Sequence, residues 1–101
     1  MKRIIDGKIF NTETADPIES YSNGLSYRDF RNMSETLYRK KNGEFFLCGE
    51  GGPMTKYRER CCDMWSGGKN IIPITKDEAR EWLERYSDVD TYIEVFGEPE
   101  E

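Results

Sequence analysis

The back quarter of the chain carries two capped amphipathic segments in succession, and this feature constrains the fold most. In Thr75-Lys76-Asp77-Glu78 the Thr-x-x-Glu spacing is a capping box, and Ala79, Trp82, Leu83 and Tyr86 then fall at i, i+3, i+4 and i+7. Ser87 or Asp88 caps a second segment in which Val89, Tyr92, Ile93 and Phe96 repeat the spacing, before Gly97 closes it and Pro99 forbids continuation. Two helices within 76–97, each with one face to bury, are therefore predicted. The net negative charge is concentrated here too. From Lys76 onward there are ten carboxylates against three cations, a local charge of −7 in a chain whose net charge is −5. The rest of the chain is thus slightly positive.

Strands are predicted upstream. Arg3-Ile4-Ile5-Asp6-Gly7-Lys8-Ile9-Phe10 places two short apolar stretches around an Asp-Gly turn, a hairpin with strands near 2–5 and 8–11. A second hairpin pairs 35–40 with 44–48 across Lys41-Asn42-Gly43. That register sets Lys40 opposite Glu44, Tyr38 opposite Phe46 and Leu37 opposite Leu47. Both of its strands carry apolar residues on both faces, which predicts a central position in the sheet. A last strand, 70–74, runs into the first helix, and Pro73 puts it at an edge or a strand end. Residues 12–34 read as an irregular connection with one or two helical turns at Tyr27, Phe30 and Met33, capped by Ser26. Residues 49–69 read as a loop with five glycines.

The fold expected is therefore α+β: one domain over 1–101, with an antiparallel sheet of four to five strands, two hairpins plus a further strand, and both helices on one face. At 101 residues with 13% aromatics, large rings must supply much of the core. No leader-like or membrane-spanning run is present, so a cytoplasmic protein with no membrane partner is expected. Three cysteines, two of them adjacent, make a poor disulfide framework and read as reduced, semi-buried side chains.

Chemistry-bearing constellations are scarce. The chain has no histidine, so the usual nucleophile–histidine arrangements and a four-ligand zinc site cannot be built. Gly49-Glu50-Gly51-Gly52-Pro53 lacks the lysine and hydroxyl of a phosphate loop. A non-catalytic protein without metal or cofactor is the expectation. Charge supplies two candidate surfaces. The first is the acidic helical face of Asp77, Glu78, Glu81, Glu84 and Asp88, suited to a basic partner surface. The alternative is a nucleic-acid contact through Arg39, Lys40 and Lys41 of the central hairpin with Lys56, Arg58 and Trp65 of the following loop, where cations and rings are interleaved. Either a monomer or a weak homodimer, paired through the strand at Ile71 and Ile72, is compatible with the pattern.

Several stretches carry a resemblance over nearly the whole chain. These are Lys2-Arg3-Ile4-Ile5-Asp6-Gly7-Lys8 with Asn11-Thr12-Glu13-Thr14-Ala15, Thr36-Leu37-Tyr38-Arg39 with Asn42-Gly43-Glu44-Phe45-Phe46-Leu47, Gly49-Glu50-Gly51-Gly52-Pro53-Met54, Trp65-Ser66-Gly67-Gly68, Ile72-Pro73, and Glu78-Ala79-Arg80-Glu81-Trp82. Together they resemble a family of small proteins carried on bacterial plasmids, phages and conjugative elements. The first hairpin and the Asn-Thr-Glu-Thr-Ala stretch are also similar to the opening of small inhibitors of type II CRISPR nucleases. What the resemblance implies is a mobile-element accessory protein that blocks a host partner, possible targets including a CRISPR effector nuclease. No inhibitory residue is carried over from it.

Overall fold

The computed structural model describes residues 1–99. Eight strands precede two helices: β1 (Lys2–Ile5), β2 (Lys8–Asn11), β3 (Asp16–Ser22), β4 (Met33–Arg39), β5 (Phe45–Gly51), β6 (Glu59–Cys61), β7 (Met64–Ser66), β8 (Gly68–Ile74), α1 (Lys76–Tyr86) and α2 (Val89–Phe96). The architecture is α+β. Four antiparallel strands form the main sheet in the order β3-β4-β5-β8, and β1-β2 and β6-β7 are separate two-stranded ribbons. Among the described residues no helix is long and apolar enough to cross a membrane.

The central hairpin adopts the register that its turn dictates, with Tyr38 opposite Phe46 and Leu37 opposite Leu47. Gly43 takes φ +92° in the connecting loop, a conformation open to glycine. Alternation along β4 and β5 then divides their side chains between two layers. Leu37, Phe45 and Leu47 meet Ala79, Trp82 and Leu83 of α1, with Tyr92, Val95 and Phe96 of α2 packed alongside. On the reverse face Phe46 and Ile71 meet Phe10 and Ala15, and Phe46 lies 5.6 Å edge-on to the Phe10 ring and 5.1 Å from a stacked Tyr38. The β1-β2 ribbon therefore covers the sheet rather than extending it. Its turn has Asp6 and Gly7 both at positive φ, as a two-residue turn of this sequence requires.

Two segments depart from the sequence reading. Within 12–34, Asp16–Ser22 is a strand that pairs with β4, and no helix forms after Ser26, where two single turns are closed by Asp29 N–H to the Ser26 carbonyl and Asn32 N–H to the Asp29 carbonyl. Ile18 and Tyr21 both join the helix-side core although they are three residues apart. A bulge between Pro17 and Glu19 produces that spacing and conceals the period of two. Met33 opens β4, and Tyr27 and Phe30 are exposed rather than helix-buried. Within 49–69, β5 continues to Gly51, β8 starts at Gly68, and a short hairpin lies between them. The glycines that suggest a loop here serve strand packing. A Cβ on Gly49 would overlap the Tyr57 ring, and one on Gly51 would crowd Thr55 and the Asn32 carbonyl. Cys61 and Cys62 sit exposed at the tip of that hairpin instead of being semi-buried; only Cys48 is partly covered.

Both sheet edges are blunted. In β8 the Ile71 N–H is capped by the Asn70 side chain at 2.8 Å, so it points away from β5. Pro73, of the same parity, has no N–H to offer. Pro17 and its bulge do the same for β3. The capping box is complete, with Glu78 N–H donating to Thr75 Oγ1 and Thr75 N–H donating to Glu78 Oε1, while Asp88 caps α2 by accepting from Thr91 N–H at 2.8 Å.

Replacing Gly49 by alanine forces the Tyr57 ring off the sheet. Chemical denaturation of Gly49→Ala should show a loss of about 1–3 kcal/mol, the usual range for overpacking. An unchanged midpoint would mean that Tyr57 does not rest on this position.

Candidate functional site

Helical geometry sorts the acidic residues of α1. At 100° per residue Asp77, Glu81 and Glu84 fall within one narrow stripe opposite the buried Ala79, Trp82 and Leu83, while Asp88 lies past the end of α1, where Ser87 and Asp88 are extended. All four acids are exposed, and the stripe from Asp77 to Glu84 spans about 10 Å at 1.5 Å per residue. Asp77 shares its charge with Arg80 at 3.1 Å. Glu81 and Glu84 have no cation within 4.0 Å among the described residues. Glu78 stands to one side of the stripe and is held by the capping box, so backbone and side-chain hydrogen bonds from Thr75 lower its pKa. Asp88 is likewise held low by the Thr91 N–H. Of the five residues predicted for an acidic face, Glu78 and Asp88 thus also cap helices. The last two carboxylates in the terminal charge count, Glu100 and Glu101, lie outside the described residues.

Beside α1 an open cleft of about 550 Å³ runs over the helix-covered face of the sheet. Glu78, Glu81 and Arg85 stand on its helical side, Ile72 and Ile74 on its sheet side, and Glu35 at its base. Glu35 is the one buried charged residue described, at 2% exposure. Its carboxylate accepts a 2.5 Å hydrogen bond from Tyr57 Oη and a 3.3 Å bond from Trp82 Nε1, and Lys56 Nζ lies 2.6 Å away. Three segments converge on this group: β4 carries the acid, the chain after β5 carries Lys56 and Tyr57, and α1 carries Trp82. Burial, followed by the hydrogen bond to Glu35, raises the Tyr57 pKa strongly above its ordinary value near 10.

The six residues of the alternative nucleic-acid surface are not brought together. Arg39, Lys40 and Lys41 lie at the β4–β5 turn, whereas Lys56, Arg58 and Trp65 follow the other end of β5, where Met33 pairs with Gly51. A seven-residue strand, about 20 Å, separates the groups. Lys40 sits 4.3 Å over the Phe10 ring and 3.7 Å from Glu44, Lys41 is 2.9 Å from Asp16, and Lys56 serves Glu35. Only Arg58, stacked 4.1 Å from the Trp65 ring centre, remains with Trp65 as a possible contact pair. Among the described residues no three His, Cys, Asp or Glu side chains form a group able to hold a metal.

An acid in a strand reads as a solvent-facing position, which hides the Glu35 cluster in the sequence. Parity carried the missing signal: Glu35 is two residues from Leu37 and so shares its inward face. Comparison with protein-family models, curated proteins and solved structures finds no match to this chain.

Two outcomes follow from the cluster. Truncating Glu35 strands the Tyr57 hydroxyl and the Trp82 N–H in the interior, so Glu35→Ala should lower unfolding free energy by about 2–5 kcal/mol. The Tyr57 shift sets a sign with pH: the fold favours the neutral phenol, so its contribution is complete below pH 10 and is lost as the pH rises above it. Denaturation measured at pH 8 and at about pH 11 should show a smaller decline for Tyr57→Phe than for the parent. An equal decline would assign the alkaline loss to other groups.

Proposed function

We propose that this protein is a non-catalytic interaction protein that lays the solvent-facing side of α1 on a basic surface of a partner protein. The observation that carries this reading is the alignment of Asp77, Glu81 and Glu84 in one exposed stripe of α1 with Glu81 and Glu84 unpaired. A rigid row of carboxylates matches a surface evolved to hold phosphates, and long-range attraction speeds such docking. The resemblance drawn from the sequence extends the reading to a mobile-element, anti-defence role in the bacterial cytoplasm. In that role the blocked surface is the cationic nucleic-acid channel of a nuclease, with a type II CRISPR nuclease as the first case to examine. The absence of catalysis is supported by the lack of histidine and by the full occupation of Glu35 by Tyr57, Trp82 and Lys56.

The test uses charge reversal that spares the caps. Asp77→Lys, Glu81→Lys and Glu84→Lys together should abolish capture of a protein partner from nuclease-treated bacterial lysate, and should relieve any inhibition of guided DNA cleavage. Raising salt from 50 to about 500 mM should weaken the parent's capture in parallel. A partner retained equally by the triple variant would remove the acidic stripe as the contact.

A further inference from the structure

We infer that the end of the molecule opposite the β4–β5 turn is a binding site for single-stranded nucleic acid, a function separate from the acidic stripe. Three connecting segments meet there. Met54 N–H donates to the Phe30 carbonyl and Gly52 N–H to the Asn32 carbonyl, each at 2.9 Å, which fastens the segment after β5 to the 23–32 segment. Gly67, at the foot of the β6-β7 hairpin, lies so close to Gly51 that a Cβ would come within 2.8 Å of its carbonyl oxygen. The surface formed is therefore fixed by backbone contacts.

What it presents is unusual for this chain. Phe10, Phe45, Phe46, Tyr57 and Trp82 are all buried, yet Tyr27, Phe30 and Trp65 stand 92%, 64% and 46% exposed on the first and last of these segments. Each lies near a cation. Tyr27 and Phe30 line a cleft of about 640 Å³ together with Arg28 and Lys69, and Trp65 carries the guanidinium of Arg58 at 4.1 Å and that of Arg60 at 5.8 Å. Arg28, Arg58 and Arg60 have no carboxylate within 4.0 Å among the described residues. Two acids border the cleft: Asp29 is bound to Arg31 at 3.3 Å, and Glu50 stands opposite Lys69 in the strand register without an ion pair. Rings interleaved with free cations fit the alternation of base and phosphate along a single strand, where each base has a free face to stack. A duplex withholds those faces. The stacking pair Arg58 and Trp65 is what survives of the earlier basic surface; Tyr27, Phe30, Arg28 and Arg60 are new members.

Fluorescence anisotropy of a labelled oligonucleotide of about 15 thymidines tests the site. Affinity should fall about tenfold in Trp65→Ala and in Tyr27→Ala, as the loss of one stacked base predicts. The double variant Arg58→Ala with Arg60→Ala should also flatten the dependence on salt. Replacing Arg39, Lys40 and Lys41 by alanine should change nothing, and neither should reversal of the acidic stripe. Tyr27 is almost wholly exposed, so its variant reports on binding even if Trp65→Ala perturbs the hairpin. No binding at about 100 μM protein in low salt, binding by both ring variants as tight as the parent's, or tighter binding to a duplex of the same length would each overturn the inference.

Discussion

A single buried carboxylate ties this fold together. Glu35 sits in the middle of β4 on the helix-covered face, where an unpaired charge would cost several kcal/mol. Its acceptor capacity is divided among the Tyr57 hydroxyl, the Trp82 N–H and the Lys56 ammonium. No one of these donors comes from β4 itself. The strand, the segment after β5 and α1 must therefore be in place together for the charge to be tolerated. Such a polar junction is costly when incomplete, so it disfavours arrangements in which the helix packs with a different register or the loop detaches.

Around that junction the layers follow from alternation. Residues 45–48 are apolar or nearly so on both sides, and the chain supplies a cover for each: α1 and α2 over Phe45 and Leu47, the β1-β2 ribbon over Phe46. Tyr21 stacks on Tyr86 at 3.9 Å and Phe45 meets Phe96 at 5.5 Å, so aromatic contacts fasten both the edge strand and the second helix. The sheet cannot easily grow further. Pro73 and the capped Ile71 N–H on one side, and bulged β3 on the other, leave few donors for another strand, which weighs against pairing of two copies through β8.

Local chemistry was the part of this structure legible in the sequence. The capping box at Thr75, the Asp6-Gly7 turn and the register about Gly43 are each decided within a few residues, and each appears as read. Long-range decisions were not. The first hairpin's role as a cover depends on where Phe46 points. Strand β3 was hidden because a bulge breaks its period. The glycines at 49, 51, 67 and 68 look like flexibility in one dimension and are close approaches in three. For the surfaces, the acidic stripe was legible because helical periodicity is local, whereas the proposed basic set joined residues that a strand's length holds apart.

The central claim is that Glu35 couples three segments, and a mutational cycle tests it directly. Unfolding free energy should be measured for Tyr57→Phe in the parent and again in a Glu35→Leu background. In the parent the substitution should cost about 1.5–3 kcal/mol, the value of a hydrogen bond to a charged group. Once the acceptor is gone the phenol is a stranded donor, so the same substitution should become neutral or stabilising. An equal cost in both backgrounds would contradict the account, because Tyr57 would then be held by its packing on Gly49 and not by the carboxylate.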